Sequence, residues 1–416
     1  MVVTGSELVR GDRNDLNGPF LAREVLSLGL EPARITIVGD RPDELEAALR
    51  EGFESDLCCV SGGLGPTHDD RTVELVAKVA GRALVLDEGL REEIGSVSRM
   101  VAERLRRPYS DFEPGVRKQA TLPEGATSLG LVGTAPGMVL ETRRGAVVVL
   151  PGPPAELQRL WPRALETEPV RQVLACARPG GRSVLRFYGA SESAVAKALA
   201  EAGGDGDGVE ATICARDFEI HVDLLVEPGA EQRADELGRR LSEPLEHYLF
   251  ARDERPVEEL VLALCRARGW TLATAESITG GLIGARLTSV AGSSEAFVGG
   301  VVAYANEVKE RELGVPAAVL TEHGAVSPQT AAAMAAGVRE RLSADVGVSV
   351  TGIAGPGGGT PEKPVGLVHL HAETPEASRG IEFSFPADRD SVRTRAAVAA
   401  LHLVRRVLTQ SRDEPA

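Results

Sequence analysis

Along the 416-residue chain, short apolar runs alternate with stretches whose apolar positions recur at helical spacing. In the first part the runs are Met1-Val2-Val3-Thr4, Ile35-Thr36-Ile37-Val38, Leu57-Cys58-Cys59-Val60 and Ala146-Val147-Val148-Val149-Leu150, which read as strands. The helical period runs through Asn17 to Leu28, Pro42 to Glu51 and Arg71 to Val79. Strand and helix in alternation predict a parallel sheet whose ligands gather at the carboxyl ends of the strands, and the glycine-rich turns fall at those ends. The opening strand is so short that the natural chain is expected to start further upstream.

At about residue 170 the rhythm changes. A strand at Ser183 to Tyr188 and a helix at Ser191 to Glu201 precede a disordered-looking GGDGDG loop, and two strands then lead into a helix. Phe218 to Leu224 alternates apolar and polar residues, the period of a half-buried strand. This predicts a small α+β insert without a catalytic cluster. From Arg255 the alternation returns, with a helix at Pro256 to Arg268 and strands at Thr271 to Ala275, Phe297 to Ala303, Val346 to Thr351 and Gly366 to His371. A long helix around Ser391 to Thr409 and a polar tail, Ser411 to Ala416, close the chain.

The net charge of −15 changes the picture of possible partners. It argues against a general nucleic-acid binder, which needs a basic surface for phosphates, so anions have to be taken at local sites such as glycine turns and helix N-termini. Five scattered cysteines, Cys58, Cys59, Cys176, Cys214 and Cys265, form no C-x-x-C pair and no metal-ligand spacing, which points to neither a disulfide framework nor a zinc site. The N-terminus has too short an apolar run for a signal peptide, and no segment approaches the roughly 20 apolar residues of a membrane span. A soluble protein of the reducing cytoplasm, without membrane partners, is expected.

Candidate chemistry gathers first in SGGLGPTHDDRT, Ser61 to Thr72. Gly62, Gly63 and Gly65 permit positive φ and close backbone approach, and the helix that follows offers unpaired N–H groups to an anion. Asp69 and Asp70 stand where they suit a divalent cation bridging phosphates, and equally where they suit a helix cap. Glu7, in GSELVRG, and Asp40, in VGDRP, fall on the same sheet edge. Several carboxylates on one edge suggest metal chemistry, although each singly suits a cap or a ribose contact. GTAPG and LPGPPAE are loops shaped by proline and glycine.

In this order, GSELVRG, VGD, SGGLGPTHDDRT, GTAPG and LPGPPAE resemble the molybdopterin-binding-like domain at the N-terminus of the competence/damage-inducible CinA family. The GG-x-G…D-x-T core is shared with molybdopterin adenylyltransferases, where Asp70 matches the aspartate before the threonine. The resemblance implies hydrolysis of the ADP-ribose pyrophosphate bond with a divalent metal, Mg2+, on Asp69 and Asp70, in a site completed by Glu7, Asn17, Asp40, Gly62, Gly63 and Gly65. It also implies a KH-type middle insert and three domains, at 1–167, 168–252 and 253–416. The fold class expected is therefore α/β with a small α+β insert.

The third part contributes TAESITGG (Thr274 to Gly281), AGSSEAF, VAYANEVK, HGAVSP, TGIAGPGGGTPEKPVG and DRDSVR. TAESITGG reads as a strand-to-helix turn in which Ser277 suits a cap, a phosphate contact or a nucleophile. A serine nucleophile needs a base, and His323, His369 and His371 lie in no motif that points at it. Lys309, close after Tyr304, offers the serine-lysine alternative, against the default of a solvated helix lysine. The GPGGG loop lacks the Lys-Ser or Lys-Thr of a P-loop, since Lys363 sits between Glu362 and Pro364. It suits a phosphate or an oxyanion, and Arg393 suits either a phosphate or an ion pair with Asp388 or Asp390.

These six segments match, in order, the C-terminal domain of the same family, which implies nicotinamide mononucleotide deamidase activity without a metal. By that resemblance Ser277 is the nucleophile, with Ser294, Tyr304, Lys309, Thr351 and Arg393 at its other functional positions. Ile278 stands where the family often has cysteine. The expected division of labour gives proton handling to Lys309 and Tyr304, the oxyanion to backbone near Thr351 and Gly352, the phosphate to Arg393 with the Gly280-Gly281 helix start, and the helix cap to Thr279. Glu276 is expected to position Lys309 or the ribose. The resemblance further implies a homodimer. Rival readings are a molybdopterin enzyme, a non-catalytic nucleotide sensor and a DNA-uptake factor.

Overall fold

The computed structural model describes residues 1–133, 135–177 and 180–409; Thr134 of the GTAPG loop and the polar tail, 411–416, lie outside the described residues. The chain divides into two compact units, Met1–Gly180 and Gly181–Ala416.

The first unit holds β1 (Val2–Thr4), β2 (Thr36–Val38), β3 (Leu57–Ser61), β4 (Leu84–Leu86), β5 (Thr121–Pro123), β6 (Thr127–Gly130), β7 (Gly137–Glu141) and β8 (Ala146–Leu150). Six of them form one sheet of order β2-β1-β3-β8-β7-β6, and β4 pairs separately with β5. The four strands read from the sequence, β1, β2, β3 and β8, are its parallel part, while β7 and β6 add an antiparallel edge. The wholly parallel sheet expected from the alternation is thus a mixed one. The turn at 142–145, in which the Thr142 N–H donates to the Gly145 carbonyl at 2.8 Å, is far too short for a crossover, so β7 and β8 must run antiparallel.

Val60, Val147 and Val149 pack with Leu45, Leu49, Leu75 and Val76 of the helices Pro42–Gly52 and Thr72–Ala80. Cys59, Val148 and Leu150 pack with Leu21, Leu157, Leu160 and Trp161 of Asn17–Ser27 and Pro154–Leu165. Burial on both faces explains why β8 is apolar throughout. It also pushes the Cys58 and Cys59 thiols up to about 11 and about 12, the pattern of inert core cysteines.

The second unit begins with β9 (Gly181–Tyr188), β10 (Val209–Arg216), β11 (Glu219–Val226) and β12 (Leu249–Ala251), an antiparallel sheet of order β10-β11-β9-β12. Helices Glu192–Ala202 and Glu231–Ser242 pack on its Leu185, Phe187, Val222 and Leu224. Phe218, which the alternation places inside a strand, instead makes the turn into β11 with φ 65°.

The remaining strands, β13 (Leu272–Glu276), β14 (Phe297–Val302), β15 (Val346–Gly352), β16 (Leu367–Glu373) and β17 (Ser378–Ser384), form a sheet of order β14-β13-β15-β16-β17. The first three are parallel and the last two antiparallel. β17 is an edge strand whose only large apolar residues are Ile381 and Phe383, a weak signal in the sequence. Helices Val257–Arg268, Leu282–Thr288 and Arg389–Thr409 share a core with Leu272, Val348, Val350 and Leu370. Helices Asn306–Leu313 and Pro328–Leu342 share another with Ala273 and Ala275.

The last helix also meets the antiparallel sheet. His402, fully buried, stacks on Tyr188 with ring centroids 3.7 Å apart and places Nε2 2.7 Å from Glu219 Oε1. Burial alone would raise the Glu219 carboxyl, but hydrogen bonds from His221 and His402 overcome it and bring it down to about 2. Burial lowers His402 to about 4, so a neutral imidazole donates to a charged carboxylate. Among the described residues no helix is long and apolar enough to cross a membrane.

Candidate active sites

Ser277 follows the last residue of β13 and stands at the carboxyl edge of the parallel strands, nearly buried at 7% exposure. Its N–H donates to the Val350 carbonyl at 3.0 Å, and its carbonyl accepts from Gly280 N–H at 3.1 Å. Gly280 and Gly281 take φ of 61° and 99°, which lets the chain double back into the helix Leu282–Thr288. The elbow therefore fixes the serine by its main chain and leaves its hydroxyl to the site.

The helix start is filled from within. The buried Glu276 carboxylate accepts N–H bonds from Gly281 (2.9 Å), Ile283 (3.1 Å) and Gly284 (2.9 Å). This corrects three expectations. The cap is Glu276 rather than Thr279, whose buried Oγ1 has no partner among the described residues. Glu276 holds neither Lys309 nor an open ribose site. The Gly280-Gly281 helix start has no free N–H groups there for a phosphate, because a carboxylate of the chain already satisfies them.

Lys309, expected by default to be solvated, is 1% exposed. Its Nζ lies 3.3 Å from Ser277 Oγ, 2.8 Å from the Ala303 carbonyl and 3.1 Å from the Tyr304 carbonyl. A neutral lysine amine has two N–H donors and one lone pair, which these two carbonyls and the serine O–H satisfy one for one. Burial lowers its pKa, against a smaller opposing pull from Glu307. The arrangement can take a proton from Ser277. Among the described residues the N–H groups of Ile278 and Thr279 have no hydrogen-bond partner, and the N–H after a nucleophile on such an elbow is a usual oxyanion donor.

Thr351 lies beside the elbow, one residue past the Glu276↔Val350 register pair, but its hydroxyl donates to the Ala325 carbonyl at 2.7 Å. Gly352, with Thr351, lies within the β15–β16 ladder. Lys363 donates to the His323 and Val326 carbonyls, both at 2.7 Å, so the GPGGG and HGAVSP loops are tied together. Tyr304 contributes its carbonyl to Lys309 while the residue, 61% exposed, forms the solvent-facing mouth of the site. Its hydroxyl accepts from Arg389 Nη2 at 3.1 Å, and Arg389 Nη1 donates to the Gly355 carbonyl at 2.7 Å.

Arg393 is turned to the elbow: Nε donates to the Ile278 carbonyl (3.0 Å), Nη2 to the Thr279 carbonyl (3.1 Å) and Nη1 to Asp390 (3.3 Å). With three of its five N–H donors it clamps the nucleophile's turn. Ser294 is not brought to the site. It sits just before β14, and because β14 runs parallel to β13 with Leu272 opposite Phe297, Ser294 belongs to the opposite edge of this sheet. His369 and His371 lie on β16 and His323 ends the helix Ala317–His323, none hydrogen-bonded to Ser277.

In the first unit the second candidate site opens at the SGGLGPTHDDRT turn. A cavity of about 400 Å³ is lined by Gly63, Gly65, Asp70, Leu84, Arg117 and Lys118, among others. Gly62 and Gly63 have φ of 105° and 64°. The helix Thr72–Ala80 starts with no side-chain cap. Thr67 Oγ1 lies 2.5 Å from both Asp69 Oδ1 and Asp70 Oδ2, which gathers the two carboxylates, and the hydrogen bond from Thr67 holds Asp69 below its usual range. Lys118 donates to the Thr67 carbonyl.

The other acidic residues of this edge do not join that pair. Asp40 accepts from the Ser6 N–H (3.0 Å) and Thr4 hydroxyl (3.2 Å) and so ties β1 to β2, and the Glu7 carboxylate folds back over Gly5. Among the described residues no three His, Cys, Asp or Glu side chains converge as a metal cage. Asn17 bridges Ser61 Oγ (2.8 Å) and the Gly152 carbonyl (2.7 Å), and its buried Oδ1 has no partner there. Sequence reasoning passed over Arg117, Lys118 and Arg389. The only signal for the last was its four-residue spacing from Arg393, which puts both on one helix face.

This pairing of a glycine-turn sheet with a serine-lysine sheet has counterparts. Residues 1–169 match the family described as probable molybdopterin binding domain, and residues 254–408 match the CinA C-terminal domain. A CinA-like protein of Mycolicibacterium paratuberculosis is 44% identical over 429 residues, covering 99% of this chain and 98% of its own. A CinA-like protein of Mycobacterium tuberculosis is 44% identical over 421 residues, covering 98% and 97%. The solved competence/damage inducible protein CihA of Agrobacterium tumefaciens is 41% identical, covers 39% of this chain and 100% of its own, and has a TM-score of 0.36. Because the likeness to the mycobacterial proteins runs from end to end and spans both domains, the chain belongs to the CinA family.

Proposed function

We propose that the C-terminal domain is an amidase that converts nicotinamide mononucleotide to nicotinate mononucleotide and ammonia. The observation that carries this reading is the buried Lys309 Nζ 3.3 Å from Ser277 Oγ. Ser277 Oγ attacks the carboxamide carbon as neutral Lys309 accepts its proton. The tetrahedral oxyanion forms at the Ile278 and Thr279 N–H groups. Lys309 returns the proton to the departing nitrogen, ammonia leaves, and a water activated by the same amine hydrolyses the acyl-enzyme. Tyr304, at the mouth, is placed to contact the nucleotide rather than the serine. Ammonia release from nicotinamide mononucleotide by the purified protein tests the reading. A Ser277→Ala variant that released ammonia at the parent rate would remove the nucleophile.

We propose for the N-terminal domain a metal-dependent cleavage of ADP-ribose to AMP and ribose 5-phosphate. Asp69 and Asp70 supply hard oxygen ligands, and Mg2+ is commonly held by one or two carboxylates together with substrate phosphates, so two suffice. Asp69 and Asp70 would hold the ion, which when bound would supply charge neutralisation to the pyrophosphate. The uncapped start of the helix Thr72–Ala80 and the cations Arg117 and Lys118 suit the remaining phosphate charge. AMP formation with Mg2+, and its loss on chelation while ammonia release continues, tests this half. ADP-ribose left intact with Mg2+ present would overturn it. By the same family resemblance we read the middle sheet as a KH-type fold in a structural role and the protein as a cytoplasmic homodimer, which sedimentation tests.

A further inference from the structure

The amidase site has to hold a phosphate, and the geometry points to Arg389 as the residue that takes it; this rests on the mononucleotide reading above. The helix starts and the lysines around the site are already occupied. The start of the helix Leu282–Thr288 is filled by Glu276. The start of the last helix is filled by Asp388, whose Oδ1 accepts the Asp390 and Ser391 N–H groups, both at 3.0 Å. Lys309 is taken up by the Ser277 hydroxyl and two carbonyls, and Lys363 bonds the His323 and Val326 carbonyls. Arg393 spends three of its five N–H donors on the two elbow carbonyls and Asp390.

Arg389 differs from all of these. It is exposed, one helical turn before Arg393 on the same face, and two of its five N–H donors are used, on the Gly355 carbonyl and the Tyr304 hydroxyl. Among the described residues the other three have no partner. The two contacts brace the guanidinium between the GPGGG loop and the mouth tyrosine, which lowers the entropy lost when it pairs with a phosphate. Since the carboxamide and the 5′-phosphate lie at opposite ends of the mononucleotide, a phosphate held at the mouth leaves the amide end to reach Ser277. Arg389 is thus a substrate-binding residue that also positions Tyr304, and it selects the phosphorylated nucleotide over the nucleoside.

The experiment compares nicotinamide mononucleotide with nicotinamide riboside. Dissociation constants are measured on the Ser277→Ala protein, which holds substrate without turnover, and kcat/KM on the active enzyme. Arg389→Ala is expected to weaken mononucleotide binding by roughly tenfold or more, the scale of a lost charge-assisted pair, and to bring the mononucleotide-to-riboside ratio towards one. Arg389→Lys, which keeps the charge, recovers part of the ratio. A general structural defect would weaken both ligands together and leave the ratio unchanged, and that result overturns the assignment. So does a parent protein that does not prefer the mononucleotide. If the parent releases no ammonia yet its binding ratio responds to Arg389, the amidase reading falls and the phosphate site stands.

Discussion

Each unit of this protein turns a strand into a helix through a pair of positive-φ glycines, and the two turns leave the helix start in opposite states. After β3, Gly62 and Gly63 lead to a helix with no side-chain cap, beside a cavity with Arg117 and Lys118 on its wall. After β13, Gly280 and Gly281 lead to a helix whose first N–H groups are bonded to Glu276. The difference shows that a glycine-rich strand-to-helix turn is an anion site only while its N–H groups are unspent. A carboxylate at the end of the preceding strand converts the same turn into a rigid elbow, and the residue it presents, Ser277, becomes the functional group. The first turn serves its ligand with backbone; the second uses backbone to hold a side chain.

Replacing the lysine gives the largest contrast. Lys309→Met keeps the buried volume but removes the base, and should lower ammonia release by roughly 10³-fold or more while leaving ADP-ribose cleavage intact. The pH profile carries the sign. The active form is the neutral amine, and burial moves its pKa below the ordinary 10.5, so kcat/KM should rise with pH and level off above that lowered pKa. A rate that falls with rising pH across the same range would exclude Lys309 as base.

Next in size is the cap. Glu276→Ala would strip three N–H groups of their acceptor in a buried setting and should cost about 3 kcal/mol in urea unfolding. It would also make the second turn resemble the first, so added formate or phosphate should restore stability to the second unit of this variant and leave that unit of the parent unchanged. Failure of small anions to do so would mean that the two turns differ in more than the presence of one carboxylate.

The two units should also part on acidification. His402 titrates normally near 6.5 when unfolded but near 4 in the fold, so its contribution is complete above 6.5 and is lost as pH falls towards 4. Glu219, depressed from 4.5 to about 2, adds a loss in the same direction at lower pH. Both lie where the last helix meets the antiparallel sheet, and that helix carries Arg389 and Arg393 at its other end. The second unit should therefore lose about 2 kcal/mol between neutral pH and pH 5, with His402→Phe flattening the slope. Equal acid sensitivity of ammonia release and ADP-ribose cleavage would show that the loss is not local to this contact.

Much of this contrast was legible in the sequence. The apolar runs gave β1, β2, β3 and β8, and the later ones gave β13 to β16 within a residue or two, because β3, β8, β13 and β15, buried on both faces, leave an unbroken apolar signal, while the half-exposed β2 and β14 are still rich in β-branched residues. The antiparallel edge strands β6 and β17 were not legible, since they carry few apolar residues, and in β7 the apolar run is only Met138 to Leu140, too short to stand out. Ser277, Lys309 and the aspartate pair were visible as motifs. Which donors were already spent was not, because Glu276 and Arg393 look like ligand groups until their partners are placed, and the use of Arg389 depends on contacts 34 and 85 residues away.

The smallest effects separate the glycines themselves. At Gly280 a Cβ meets only Arg393 Nη2, at 3.5 Å, so Gly280→Ala should cost little beyond the left-handed backbone, about 1 kcal/mol. At Gly63 the φ is similar, 64°, but a Cβ would come within 2.2 Å of Thr72 Oγ1, whose own bond to the Gly62 carbonyl at 2.9 Å shapes the turn. Gly63→Ala must therefore move Thr72 and, with it, the uncapped helix start. We expect ADP-ribose cleavage to fall in Gly63→Ala by more than ammonia release falls in Gly280→Ala, with each variant sparing the other reaction. Equal losses would mean that glycine serves both turns only through its φ, and that the open helix start of the first turn has no part in binding its ligand.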